Sequence, residues 1–210
     1  MRFEDRAEAG RALAEVLEGL AGQDVVLLAI PRGGVEVAAE ISRARGWPLD
    51  LVIPRKIGAP GNPELGLGAI APGVRVLDER MLRALGVTRE YLDREVAEQE
   101  EEIRRRAEAY RGGRPPTEIR GRVAVVVDDG VATGGTAAAA LRWARSQGAA
   151  RVVLAVPVAP REAVRRLAGE CDEVICLDTP EPFMAVGQWY LSFPQTSDDQ
   201  VISLLDEARA

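Results

Sequence analysis

The sequence has no histidine, one lysine (Lys56), two cysteines and only 4% aromatic residues. Without imidazole, histidine-based acid–base catalysis, histidine triads and histidine-ligated zinc are excluded together. Cys171 and Cys176 flank a strand-like DEVI segment and lack CxxC spacing, so they read as reduced core thiols rather than a disulfide or metal site. No stretch approaches the roughly 18 apolar residues that a membrane span requires. The N-terminal MRFEDRAEAG is too charged for a signal peptide, and the expected location is the cytoplasm. A formal net charge of -6 disfavours nonspecific nucleic-acid binding. The 210 residues amount to one domain with room for a subdomain.

What is present centres on Val123 to Ala140, VAVVVDDGVATGGTAAAA. The β-branched run Val123 to Val127 has no polar alternation, which suits a strand covered on both faces in the middle of a parallel sheet. Asp128 and Asp129 follow at its carboxyl end, the edge where ligands bind in open α/β sheets. Gly130 to Thr136 then supplies three glycines and two threonines, and a helix is expected from Ala137 to Gln147. A helix N-terminus offers unpaired N–H groups and partial positive charge to a phosphate. Gly134 and Gly135 permit close backbone approach, while Thr133 and Thr136 add hydroxyl donors. Two adjacent carboxylates repel a bare polyphosphate but suit vicinal hydroxyls or a hydrated Mg2+. Acid pair plus phosphate nest points to ribose 5-phosphate. The loop has the glycine spacing of a Walker A motif without its lysine, and it is not GxGxxG. The plain alternative is a tight strand-to-helix turn with a solvated acidic cap.

The stretch VVVDDGVATGGT resembles the signature of the type I phosphoribosyltransferases: a hydrophobic strand, two acidic residues and a TGGT-like loop. The resemblance implies that Asp128 and Asp129 hold the ribose hydroxyls of phosphoribosyl diphosphate and that Ala132, Thr133, Gly134, Gly135 and Thr136 bind its 5-phosphate. It also implies Mg2+, held by Asp128 and Asp129 directly or through water.

Earlier in the chain, Arg6 to Leu20 carries Ala9, Leu13, Val16, Leu17 and Leu20 at helical spacing, and reads as an amphipathic helix whose role is packing. Asp24 to Ile30 reads as a strand, followed by Pro31, Arg32, Gly33 and Gly34 and a helix from Val35 to Arg45. Two glycine N–H groups beside a guanidinium suit a diphosphate, although a Gly-Gly turn alone is commonly only a turn. This loop resembles the diphosphate loop of the same family. Leu49 to Pro54 is another buried strand, and Arg55 and Lys56 at its end are either diphosphate contacts or a solvated basic pair. Ala59 to Glu64 is turn chemistry, and Leu65 to Asp78 holds two short strand-like runs broken by Pro72 and Gly73. This resembles the flap that covers the site in the family and keeps water from an electrophilic sugar centre.

Thr88 is a candidate N-cap for a helix to about Arg111, about 36 Å long. Its apolar stripe of Leu92, Val96, Ile103, Ala107 and Tyr110 is narrow, which suits an inserted arm or a homodimer contact. Residues 55–116 thus read as an inserted flap and helical subdomain. After the cradle, Arg151 to Val156 and Glu173 to Leu177 read as strands with Arg161 to Leu167 as a helix between them. The alternation argues for a doubly wound, mainly parallel α/β sheet. Phe183, Trp189, Tyr190 and Phe193 cluster in residues 178–196. They are either a satellite core or, as the resemblance implies, a hood with Phe183 or Trp189 near a base. A capping box at Ser197 opens a final helix.

The activity implied by the resemblance is displacement of diphosphate from phosphoribosyl diphosphate by a nitrogen acceptor, with Arg32 and the glycine amides stabilising the leaving group. Ala132 stands where hypoxanthine-guanine members carry an aspartate, which leans towards adenine-like members; the RGG loop leans towards oxopurine users. The acceptor therefore stays open. The alternatives from other classes are a non-catalytic sensor of phosphoribosyl diphosphate or a nucleotide, and sugar-phosphate hydrolysis using Asp or Glu as base.

Overall fold

The structure is a computed structural model that describes residues 2–209. Five wholly parallel strands form the main sheet: β1 (Val25–Ala29), β2 (Leu49–Leu51), β6 (Val123–Val127), β7 (Arg151–Val158) and β8 (Glu173–Asp178). Their spatial order is β2-β1-β6-β7-β8, so the apolar valine run is the middle strand, as its composition requires. The chain winds outward from β1 to β2, then returns past β1 to β6 and continues the other way. This places a topological switch point between β1 and β6, the crevice where ligands bind in such sheets.

Alternate residues of each strand feed separate cores. Val25, Leu27 and Ala29 with Val123, Val125 and Val127 face α1 (Arg6–Val16) and α2 (Gly33–Arg45). Val26 and Leu28 with Ala124 and Val126 face α5 (Gly135–Ser146) and α6 (Arg161–Leu167). Burial on both sides explains why these strands lack polar alternation. The α1 helix is shorter than its apolar pattern: its last turn, Leu17–Leu20, tightens to a 3-10 helix. Cys171 and Cys176 are free, half-buried thiols donating to backbone carbonyls; burial pushes both upward in pKa, Cys176 to about 11.

Residues 55–116 contain a second, antiparallel sheet ordered β3 (Arg55–Ala59), β4 (Asn62–Ala71), β5 (Val74–Leu77). The turn expected over Ala59 to Glu64 is narrower in the structure. Ala59 pairs with Asn62 across Pro60 and Gly61, so Asn62, Pro63 and Glu64 belong to a strand. A short helix that the sequence reading passed over, α3 (Glu79–Ala84), is capped by Asp78, whose Oδ1 accepts from the N–H groups of Arg80 and Met81, both at 3.0 Å.

The α4 helix (Arg89–Arg111) starts at Thr88, whose hydroxyl accepts from the Tyr91 N–H. Its narrow stripe, Val96, Ile103 and Tyr110, is buried in this chain's own core, and Tyr91 Oη donates to the Gly58 carbonyl at 2.9 Å. Gln99, which interrupts the stripe, accepts from Arg55 Nε at 2.9 Å. Arg111 closes the helix on buried Asp50 at 2.9 Å. The arm is thus packed within the chain, on β3, β4 and α7 (Asp198–Glu207). No helix of the described residues is long and apolar enough to cross a membrane.

Candidate functional site

The parallel pairing of β1 with β6, Ala29 opposite Val127, sets their carboxyl-end loops side by side. The Ile30 N–H donates to the Val127 carbonyl at 2.8 Å, which continues the ladder to the edge of the crevice. The PRGG loop then turns directly against the acid pair. A Cβ added to Gly34 would lie 2.7 Å from the Val127 carbonyl oxygen and 3.0 Å from Asp128 Cα, and one added to Gly33 would overlap the Asp129 carboxylate. Both glycines are therefore required by close approach.

The two acids sit in different surroundings. Asp129 Oδ2 accepts from Arg6 Nε at 2.7 Å, and the Asp129 backbone N–H donates to Asp128 Oδ1 at 2.9 Å. Burial, reinforced by the charge of Asp129, pushes the Asp128 carboxyl well above the usual carboxylate range. Burial also raises Asp129, against the opposing hydrogen bond and charge of Arg6. Tyr190 Oη donates to the Asp129 carbonyl at 2.6 Å, and burial followed by the Asp129 charge raises the phenol.

These shifts carry a stability consequence. A carboxyl that titrates higher when folded keeps its proton longer in the native state, so stability falls as pH rises from the unfolded value of about 4 through the raised native range. Asp128→Asn removes this loss. The variant is expected to gain stability relative to the parent as pH rises from 4 to 8, measured by urea unfolding; parallel profiles would contradict the raised titration.

On the other side of the crevice, Gly134 takes φ +78° as the N-cap of α5, a conformation that suits glycine, and so turns the chain from loop to helix. Ala132 and Thr133 are exposed, and Gly135 and Thr136 half-buried, at this helix N-terminus. Arg166 of α6 stands beside it: a Cβ on Gly134 would lie 2.8 Å from Arg166 Nη2. The sequence reading did not single out that cation.

Arg32 donates to Asp198 of α7, Nη1 to Oδ1 at 3.4 Å, and Tyr110 Oη donates to the same oxygen at 2.8 Å. Burial pushes the Tyr110 phenol up to about 12. Arg55 is turned to Gln99 of α4, and burial is the first cause lowering its pKa; Lys56 beside it is exposed. The structure thus separates this basic pair, which the sequence reading treated as one unit.

The segment after β8 folds back over the switch-point edge. Val186 packs on Gly130, and the Phe3 N–H donates to the Trp189 carbonyl at 2.8 Å. Phe183 and Trp189 stack with centroids 6.0 Å apart, packed against a satellite core of Phe3, Ala9, Val158 and Tyr190. The Trp189 indole Nε1 is buried without a hydrogen-bond partner among the described residues.

The α1 helix packs on the core as its apolar stripe requires, and Arg6 adds a charged contact that the sequence reading missed. It opens that helix and is buried at 5% exposure. Beyond Asp129 it donates through Nη1 to the Pro194 carbonyl at 2.7 Å, lies 3.7 Å from Glu36, and sits 3.8 Å over the Phe193 ring. The available signal was position: Arg6 stands three residues before Ala9 and seven before Leu13, on the apolar stripe itself.

A parallel α/β sheet with two glycine-rich loops and an acid pair at its β1/β6 switch point defines the class of open α/β proteins whose binding crevice lies at the carboxyl ends of the strands. The family model described as "Phosphoribosyl transferase domain" matches residues 4–187, and the chain belongs to that family. Two Mycobacterium tuberculosis proteins, provisionally named phosphoribosyl transferases, are 50% identical over 207 residues, covering 98% of this chain and 47% of theirs. The chain spans about half the length of these relatives. The crystal structure of TT1426 from Thermus thermophilus is 48% identical, with a TM-score of 0.84 over 99% of both chains. The AQ2163 protein from Aquifex aeolicus shares the fold at 14% identity, with a TM-score of 0.51 over 87% of this chain and 78% of its own.

Proposed function

We propose that this protein transfers the 5-phosphoribosyl group of phosphoribosyl diphosphate to a nitrogen acceptor, a nucleobase, with release of diphosphate. The observation that carries this reading is the placement of the PRGG loop and the α5 N-terminal loop on either side of Asp128 and Asp129 at the β1/β6 switch point. A diphosphate and a 5-phosphate can then be held apart, with the sugar between them.

In this reading Gly134 to Thr136 receive the 5-phosphate with helix N–H groups and hydroxyls. Arg32 swings from Asp198, whose side chain is 58% exposed and holds it weakly, to the leaving diphosphate. The acid pair takes the sugar hydroxyls and offsets the positive charge that grows at the anomeric carbon. The oxygen donors also fit Mg2+. Among the described residues no three His, Cys, Asp or Glu side chains could hold a metal by themselves, so Asp128 and Asp129 would hold a hydrated ion together with substrate oxygens. When bound, Mg2+ supplies neutralisation of the diphosphate charge. No side chain need act as nucleophile, which is consistent with a chain lacking histidine. The Phe183–Trp189 stack, on the segment whose Val186 packs on Gly130, supports a flat acceptor.

The test is diphosphate release from phosphoribosyl diphosphate with Mg2+, with and without purines, pyrimidines, orotate and small amines. Release that depends on one acceptor is expected. Tight binding without release would replace transfer by sensing, and acceptor-independent release would replace it by hydrolysis.

A further inference from the structure

We propose that Arg166 of α6 is a specificity residue for the 5-phosphate, a free guanidinium that folds onto the α5 N-terminal loop when a phosphate ester enters it. This assignment rests on the phosphoribosyl reading above and refines it, since that reading gives the 5-phosphate only helix N–H groups and hydroxyls.

The cation is brought to the loop by core packing. Leu167 is buried in one core with Ala137, Ala138 and Leu141 of α5, which holds α6 close to the start of that helix. At Gly134 a Cβ would lie 2.8 Å from Arg166 Nη2 and 3.1 Å from Leu167 Cδ1. Glycine is thus required at 134 both by its φ of +78° and by the approach of α6. Gly135 is a different case. It is the first residue of α5, its backbone is not left-handed, and a Cβ there would meet nothing within 4 Å. No neighbour in the chain fills the space over Gly135, so the loop is open to a ligand one residue from the guanidinium.

Arg166 is also uncommitted, unlike most of its neighbours. Of the five arginines on α5 and α6, Arg142 donates twice to Glu170, both at 2.7 Å, and Arg145 donates to Asp172 at 3.1 Å. Arg161 lies 3.9 Å from Glu181. Among the described residues Arg165 and Arg166 have neither a hydrogen bond nor an ion pair. Glu162 stands four residues before Arg166, the spacing that favours an ion pair on a helix, yet the two are not paired. The Arg166 side chain is exposed, so it breaks no contact with a charged partner when it turns to an incoming anion. A helix N-terminus offers a phosphate partial charge and N–H donors. The guanidinium adds a whole charge and a fork that fits two phosphate oxygens, which an ammonium does not match. The PRGG loop, which takes the diphosphate in the reading above, belongs to another element, so this arginine acts on the 5-phosphate alone.

The test measures by calorimetry the Kd of phosphoribosyl diphosphate with Mg2+, of ribose 5-phosphate and of inorganic diphosphate, with thermal unfolding recorded for each protein. The proteins are the parent, Arg166→Gln, Arg166→Lys and Arg165→Gln. Arg166→Gln is expected to weaken both ribose phosphates by about tenfold, the low end for a charged hydrogen bond because the side chain is open to solvent. Inorganic diphosphate should stay within about twofold of the parent, the scale left to a screened distant charge. Arg166→Lys keeps the charge without the fork and should recover part of the loss, to about threefold below the parent. Arg165→Gln removes the same charge one residue away and should bind all three ligands within about twofold of the parent. Unfolding temperatures should match the parent throughout, since no hydrogen bond or ion pair of the folded chain is removed. Parental affinity for the ribose phosphates in Arg166→Gln would overturn the assignment. So would an equal loss for inorganic diphosphate, or an equal loss in Arg165→Gln, because either would reduce the effect to the general field of α6. If the parent holds ribose 5-phosphate too weakly to measure, the contrast between phosphoribosyl diphosphate and inorganic diphosphate decides. A parent that binds no phosphoribosyl diphosphate would remove the functional reading and this assignment together, whereas a binding parent with an unchanged Arg166→Gln removes only the assignment.

Discussion

Asp128→Asn is expected to lower kcat/KM for diphosphate release by roughly 10²- to 10³-fold, the scale on which one preorganised electrostatic group contributes to a transition state. The replacement keeps the size and hydrogen-bonding capacity of the side chain and removes only its charge. That charge is held at a cost, because burial and the neighbouring Asp129 push its carboxyl upward. Retaining an ionisable group where the fold disfavours its ionised form is a mark of functional sites, though structural networks also produce it. The fall in rate should therefore accompany a rise in unfolding temperature at pH 7, as expected where stability and activity compete. Steady-state kinetics and thermal unfolding of the same preparation check this. An equal fall in both would mean that the substitution has damaged the fold instead.

Gly33→Ala is expected to abolish measurable binding of phosphoribosyl diphosphate and to cost about 1–3 kcal/mol of stability, the usual range for overpacking. The added methyl would overlap the Asp129 carboxylate and lie 2.7 Å from Arg6 Nε, so the pair that fixes the site would have to separate. Gly19→Ala is the matched control. A Cβ there meets nothing within 4 Å and the backbone is not left-handed, so binding and unfolding temperature should stay at parental values. Calorimetry and thermal unfolding measure both. Normal affinity in Gly33→Ala would show that the PRGG loop can retreat from the acids without loss.

The central motif was legible because its information is local. Val123 to Val127 forms a strand with the bounds read from composition, and its lack of alternation correctly placed it in the middle of the sheet. The strand before PRGG and the helix after it were legible for the same reason: an apolar run followed by glycines and a 3.6-residue period. The helix from Thr88 was legible through its cap and its Val96, Ile103, Tyr110 stripe. Its partner was not, because a narrow stripe says how much surface is covered and not by what. Gln99 looked like a fault in that stripe, and is half of a hydrogen bond to Arg55 on β3.

Other features depend on residues far apart in the chain. Arg6 and Asp129 are 123 residues apart. A charge at the start of an amphipathic helix ordinarily faces water, whereas Asp129, Glu36 and the returning Phe193 and Pro194 together enclose this one. Arg32 was read as a diphosphate ligand from its neighbours in sequence, yet its contact in this structure is Asp198, 166 residues away. Phe183 and Trp189 were read as a cluster, but their stacking on each other beside Phe3 and Tyr190 required both ends of the chain to meet.

The sequence by itself determined the doubly wound class, the strand and helix that carry the acid pair, the absence of histidine chemistry and the family resemblance. Each follows from short-range periodicity, composition or a contiguous motif. Tertiary structure alone decided that β1 and β6 are neighbours across a switch point, that PRGG lies against Asp128 and Asp129, and that Arg6 pairs with one acid. The physical reason is that strand order and buried charge pairing are set by which faces meet when the sheet closes its two cores, and no local pattern encodes that choice.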